Sequence, residues 1–176
     1  MRARSLLHRR FARENRGSVA VEFAIISPVM LVMLGGIYEI GHAFQALTAV
    51  NELASQYAIS WADCSDNPTG TCNTELTQYN TAGAISNVAP TLTASGVTVQ
   101  MYQVKMSGTT PAVQYPTGGS LTAAQISAAQ TSLQSGDTGV VVTVNYTYTV
   151  SLFGGFLSGV IPNSIPMSYT TVQLKA

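Results

Sequence analysis

From Phe23 to Tyr38 the chain reads FAIISPVMLVMLGGIY, without one formal charge. With SVAV in front, the apolar run is about twenty residues, and at about 1.5 Å per residue it spans about 30 Å, the hydrocarbon thickness of a bilayer. The pattern predicts a membrane-crossing helix over 18–39. Beyond Tyr38 the helical pattern continues without proline through EIGHAFQALTAVNELASQYAISWAD. Ile40, Phe44, Leu47, Val50, Leu53, Ala54, Tyr57 and Trp61 recur at three- to four-residue steps, one face of an amphipathic helix. This extension covers 40–63 and needs a partner surface for its stripe. Gly41 weakens it slightly, and Pro28 is a place for a kink.

After a turn-rich loop the period shifts. GVTVQMYQVKM (96–106) alternates and predicts a strand. SLTAAQISAAQTSLQSGD (120–137) predicts a helix with Leu121, Ala124, Ile126, Ala129 and Leu133 on one face, ended by Gly136. GVVVTVNYTYTVSL (139–152) is the clearest strand, alternating through Val140, Val142, Val144, Tyr146, Tyr148 and Val150, and 166–176 is another. The link at 153–166 sets four hydrophobic residues among Gly and Pro, either packed on the sheet or exposed. Long helix, strand, helix and two strands make an α+β fold with a small antiparallel sheet. The expected organisation is a basic leader (1–17), the membrane helix (18–39), its extension (40–63) and an outer α+β domain (64–176).

Charge adds direction. The 176 residues balance eight basic against eight acidic groups, but unevenly. Arg2, Arg4, Arg9, Arg10, Arg13 and Arg16 against Glu14 give the leader a net +5; Lys105 and Lys175 against seven acids give the rest −5. Arginines before an apolar run, with no basic cluster after it, place the N-terminus in the cytoplasm and the outer domain across the membrane. A short arm running straight into apolar sequence leaves no nucleic-acid partner expected. A cleaved signal peptide is a competing reading, for which AFQA ending at Ala46 makes a poor cleavage site. An uncleaved signal anchor is another. Neither accounts for Glu22, since a charge in an apolar stretch costs about 2.5–3.5 kcal/mol at the helix centre and less near an end.

Residues 9–41, RRFARENRGSVAVEFAIISPVMLVMLGGIYEIG, resemble the N-terminal region of TadE-like proteins, pseudopilin-like components of bacterial tight-adherence (Flp-type) pilus systems. The matching features are the basic leader, Gly17, Ala20 to Ala24 (AVEFA), Pro28, the apolar run, and Gly36 with Glu39. The resemblance implies cutting by a prepilin-type peptidase between Gly17 and Ser18, so the protein is substrate rather than enzyme. Glu22 and Phe23 become the fifth and sixth residues of the mature chain. It also implies that the Glu22 carboxylate meets the free amine of a neighbouring subunit; the other reading leaves Glu22 solvated at headgroup depth. The implied partners are the bacterial inner membrane, the peptidase, other pilin or pseudopilin subunits and the tight-adherence inner-membrane machinery, with the helix stripe packed on the sheet as in pilin-like proteins. The chain is shorter than TadG-like relatives and longer than major Flp pilins, which points to a minor pilin.

Cys64 and Cys72, the two cysteines, bracket CSDNPTGTC. Outside the cytoplasm an even count suggests one disulfide, with a metal pair or free thiols as alternatives. Asp63, Asp66 and Asn67 lack the full calcium-loop pattern. His8 and His42 leave the outer domain without histidine, so no Ser-His-Asp triad or histidine zinc site can be built there. No phosphate-binding glycine loop appears. No enzyme activity, cofactor, metal or small-molecule substrate is expected. The alternative to the pseudopilin is an uncleaved, single-pass, membrane-anchored binding or adhesion domain.

Overall fold

A computed structural model describes residues 4–64, 82–151 and 162–175, with side chains over 18–64, 83–151 and 162–175. Cys72, the loop around it and the link at 153–161 lie outside the described residues. The chain divides into two compact units, Met1–Gly41 and His42–Ala176. Helix α1 (Arg4–Ala62) supplies the first unit and begins the second. It starts inside the basic leader, earlier than the apolar pattern suggested, and continues through Pro28. It ends one residue before Asp63, whose N–H still bonds to the Ile59 carbonyl.

The second unit holds α2 (Ala82–Val88), β1 (Val97–Ser107), β2 (Thr110–Tyr115), α3 (Ala123–Ser132), β3 (Thr138–Thr149) and β4 (Ser164–Leu174). The strands form one antiparallel sheet in the order β2-β1-β3-β4. The α+β class, with a long apolar helix ahead of a small antiparallel sheet, is therefore the observed fold. Strand β2 and helix α2 were not legible. β2 is six residues with Pro111 near its start, turned back from β1 through Gly108 at φ +63, a value glycine adopts without strain. α2 is seven residues with no long apolar period.

The sheet is covered on both faces. Ala46, Val50, Leu53, Ala54, Tyr57, Ala58 and Trp61 of α1 pack with Val140, Val142, Val144, Tyr146 and Met167. At i, i+4, i+7, i+8, i+11, i+12 and i+15 they make one helical face. Trp61 also meets Tyr115 edge-on, 6.2 Å between ring centroids. Ile40, Phe44 and Leu47, expected in this stripe, are exposed. Ala46 takes their place, and half-buried Ala43 and Ala49 flank it.

On the other face, Ala129 of α3 and the residue that caps its end, Leu133, pack with Val104, Met106 and Val141. This is why β3 reads VVV at 140–142: a strand covered on both faces loses strict alternation. Ala124 is exposed, and α3 stops at Ser132, before Gly136. Its buried anchor is polar. Gln125 caps the helix start: its Oε1 accepts from Thr122 N–H (2.8 Å) and its own N–H reaches Thr122 Oγ1 (3.4 Å). Its Nε2 donates to Thr143 Oγ1 (3.0 Å) and Gln100 Oε1 (3.3 Å). A fully bonded amide is retained in a core without the desolvation cost of an orphan group.

Gly139 marks how closely α3 and β3 meet. A Cβ there would lie 2.8 Å from both Leu133 methyls and 3.0 Å from the Gln173 carbonyl oxygen. Replacing a strand glycine gains about 0.5–1 kcal/mol, whereas overpacking a filled core costs about 1–3 kcal/mol. Gly139→Ala is therefore expected to lower the urea midpoint of the outer domain, with unchanged or raised stability contradicting this packing.

Candidate functional site: the N-terminal helix

The residues singled out in the sequence sit on the first unit's helix and at the end of α1. Gly17 and Ser18 lie within α1, with no break between them. One turn on, Ser18 Oγ donates to Glu22 Oε1 at 3.2 Å, an i, i+4 pair on an exposed surface. Phe23 is 69 % exposed. The structure thus joins Ser18 and Glu22 directly and leaves Phe23 projecting beside them.

Below this pair the helix is apolar all round. Val19, Val21, Ile25, Ile26, Val29, Met30, Leu31, Met33, Leu34 and Ile37 are all exposed. Within Ser18–Ala62 an 18-residue window reaches a mean hydropathy of 2.1 with none of it buried. At roughly 25 cal/mol per Å² of apolar surface, water is an unfavourable surrounding for such a helix. It is long and apolar enough to cross a membrane once, by length and composition. Glu39, part of the sequence resemblance, is buried.

At the far end of α1, Cys64 is half-buried against the α1 cluster and is not a free thiol. Its bracket partner, Cys72, lies outside the described residues, as do Asp66, Asn67 and Glu75. Tyr57 belongs to the same cluster, and burial pushes its phenol above the ordinary value near 10. The fold favours the neutral phenol, so its contribution is complete below about pH 10 and is lost as pH rises through the higher folded value. Thermal unfolding followed above pH 10 is expected to show falling stability, less steeply in Tyr57→Phe. Equal slopes for the two proteins would contradict this.

Two features of the outer domain were not legible: the buried Gln125 amide and the place of β4 at the end of the strand order among the described residues. Only pairing partners distinguish a buried glutamine from a solvated one, or an edge strand from a central one.

The TadE-like protein family model matches residues 17–58. The match opens on Gly17, crosses the exposed apolar helix and ends within the stripe that packs on the sheet. No curated protein and no solved structure matches the chain significantly. Over residues 17–58, this chain is similar to TadE-like proteins.

Proposed function

We propose that this protein is a minor pilin or pseudopilin of a tight-adherence pilus assembly and secretion system. It is anchored once in a bacterial inner membrane, N-terminus in the cytoplasm and outer domain outside. A prepilin-type peptidase cuts between Gly17 and Ser18, and the mature helix packs laterally against other subunits. The observation that carries this reading is the Ser18–Glu22 pair at the head of an exposed apolar helix, where the family match begins. Cleavage turns the Ser18 N–H into an α-amino group, charged near neutral pH. One carboxylate oxygen of Glu22 is held by the Ser18 hydroxyl, and no hydrogen bond from the described residues reaches the other. In lipid, pairing that carboxylate with a neighbour's amine favours docking in register, because a buried charge left unpaired is costly. Cys64 and Cys72 form one disulfide closing the loop after α1. The outer domain binds and assembles rather than catalyses, and no cofactor takes part.

An uncleaved single-pass anchor draws on one observation: α1 is unbroken across Gly17–Ser18. A peptidase must unwind that turn to reach the bond. Co-expression with a prepilin-type peptidase separates the two readings. The wild-type chain is expected to lose the mass of residues 1–17, and Gly17→Leu to keep it. A wild-type chain that stays full length beside an active peptidase supports the anchor.

A further inference from the structure

A row of polar residues crosses the sheet on the face that α3 covers. Gln100 of β1, Thr143 of β3 and Thr170 of β4 stand opposite one another in register. Thr143 is buried, and its hydroxyl lies 2.9 Å from that of Thr170. Over the row sits Gln125, 1 % exposed. Its Nε2 carries two N–H groups, and each has a partner: Thr143 Oγ1 on β3 and Gln100 Oε1 on β1. Its Oε1 accepts from the Thr122 N–H at the start of α3. One side chain thus ties the helix to two neighbouring strands.

Apolar packing does not by itself fix how β1 lies along β3. A slip of one residue turns every side chain to the wrong face, but a slip of two keeps each on its own face. Toward α1, Val97, Val99 and Met101 stand opposite Tyr146, Val144 and Val142. A two-residue slip in either direction again sets apolar residues against apolar ones there. Toward α3, it brings Tyr102 or Met106 to the place of Val104, and both are apolar. The close fit of Leu133 over Gly139 seats α3 on β3 and leaves β1 free. The polar row does tell the registers apart. A slip carries Gln100 about 7 Å along β3, away from Thr143, so one amide no longer reaches both. Thr98 or Tyr102 takes its place. The threonine hydroxyl is two carbons short of the glutamine oxygen, and the tyrosine oxygen lies beyond a ring.

We propose that the Gln125 amide is a register key: bonded to Gln100 and Thr143 together, it selects one pairing of β1 with β3 over the two-residue slips that the apolar pattern tolerates. A buried N–H left unpaired disfavours the slipped sheet by about tenfold or more. Replacing buried polar groups by apolar ones of similar shape often leaves stability nearly unchanged. The amide therefore gives the outer domain a single structure more than it gives strength. Every residue involved belongs to the second unit, so the key works whatever the protein assembles with.

The register can be read directly. Met106 N–H bonds to the Asp137 carbonyl, so even residues of β1 exchange backbone bonds with β3, and the odd pairs between them bring their Hα atoms close. The test is NMR of the isotope-labelled full chain in detergent micelles, following the Hα contact between Met101 and Val142. The wild type is expected to show that contact and one set of β1 signals. Two variants remove the key. Gln125→Met is similar in size and lacks the amide; Gln100→Met keeps the α3 cap and the bond to Thr143. Each is expected to raise a second set of β1 signals about tenfold or more above wild type, with Met101 meeting Val140 or Val144. Slow amide exchange along β3 and β4 reports that the fold survives. If Gln125→Met does not fold, Gln100→Met decides. One set of signals with the Met101–Val142 contact in the folded variants would overturn the proposal. Two registers in the wild type would overturn it as well.

Discussion

Glu22→Ala is expected to leave the protein in the membrane at the wild-type level and to remove it from pilus assemblies. Removing a charge from an apolar segment lowers the cost of insertion, by up to about 2.5–3.5 kcal/mol at the bilayer centre and less near a helix end. Val19 to Ile40 remain to hold the anchor. Assembly is affected oppositely. In the packed state the variant leaves a neighbour's Ser18 amine without its counter-charge. Breaking a buried pair by deleting one partner costs about 3–5 kcal/mol, a loss of roughly a hundred- to a thousand-fold or more in docking. Glu22→Gln keeps the shape and the bond to Ser18 Oγ but not the charge, and should fail in the same way. Membrane fractionation beside counts of surface pili checks both halves. Normal piliation in either variant contradicts amine pairing.

Leu53→Ala is expected to destabilise the outer domain by about 2–5 kcal/mol, a large share of the 5–15 kcal/mol that usually holds a domain folded. Leu53 is fully buried in the middle of the α1 stripe, between Val50 and Tyr57 on the same face. Truncation there removes the transfer free energy and leaves a cavity between helix and sheet. Leu53→Met, close to volume-conserving, is expected to cost less than about 1.5 kcal/mol. Leu47→Ala is the informative contrast. Periodicity alone places Leu47 with Leu53, but Leu47 is 38 % exposed, and its loss should shift stability by no more than about 0.5 kcal/mol. Urea unfolding in micelles, followed by circular dichroism, measures all three. Equal losses at Leu47 and Leu53 would mean that the sheet covers more of α1 than the structure shows.

Long elements with an unbroken period were legible in the sequence. α1 from the apolar run to its end near Asp63 is of this kind, as are β1, β3, β4 and most of α3. Each contains enough turns or alternations for one face to be read. Shared burial was harder to see. Val141 lies between Val140 and Val142 and reads as part of one run, yet it packs on α3 while they pack on α1. Ala46 and Ala49 carry little hydrophobic weight, but Ala46 is buried in the core cluster and Ala49 packs against it. Gln125 reads as a surface residue until Thr122, Thr143 and Gln100 are placed around it. Of the candidate site, Gly17, Ser18, Glu22 and Phe23 were legible because glycine, acid and aromatic stand at unusual positions beside an apolar run. The Ser18–Glu22 hydrogen bond follows from their i, i+4 spacing once the segment is helical. The place of β4 at the end of the strand order β2-β1-β3-β4 is encoded by no local pattern.

Whether the chain is cut after Gly17 is read from its mature N-terminus. Protein purified from native membranes that contain the peptidase, read by mass spectrometry of its N-terminal peptide, is expected to begin at Ser18. That start places Glu22 fifth and puts a free amine one turn from its carboxylate. A chain that begins at Met1 in those membranes contradicts the account and leaves a plain membrane anchor; one that begins near Leu47 makes the apolar helix a discarded signal.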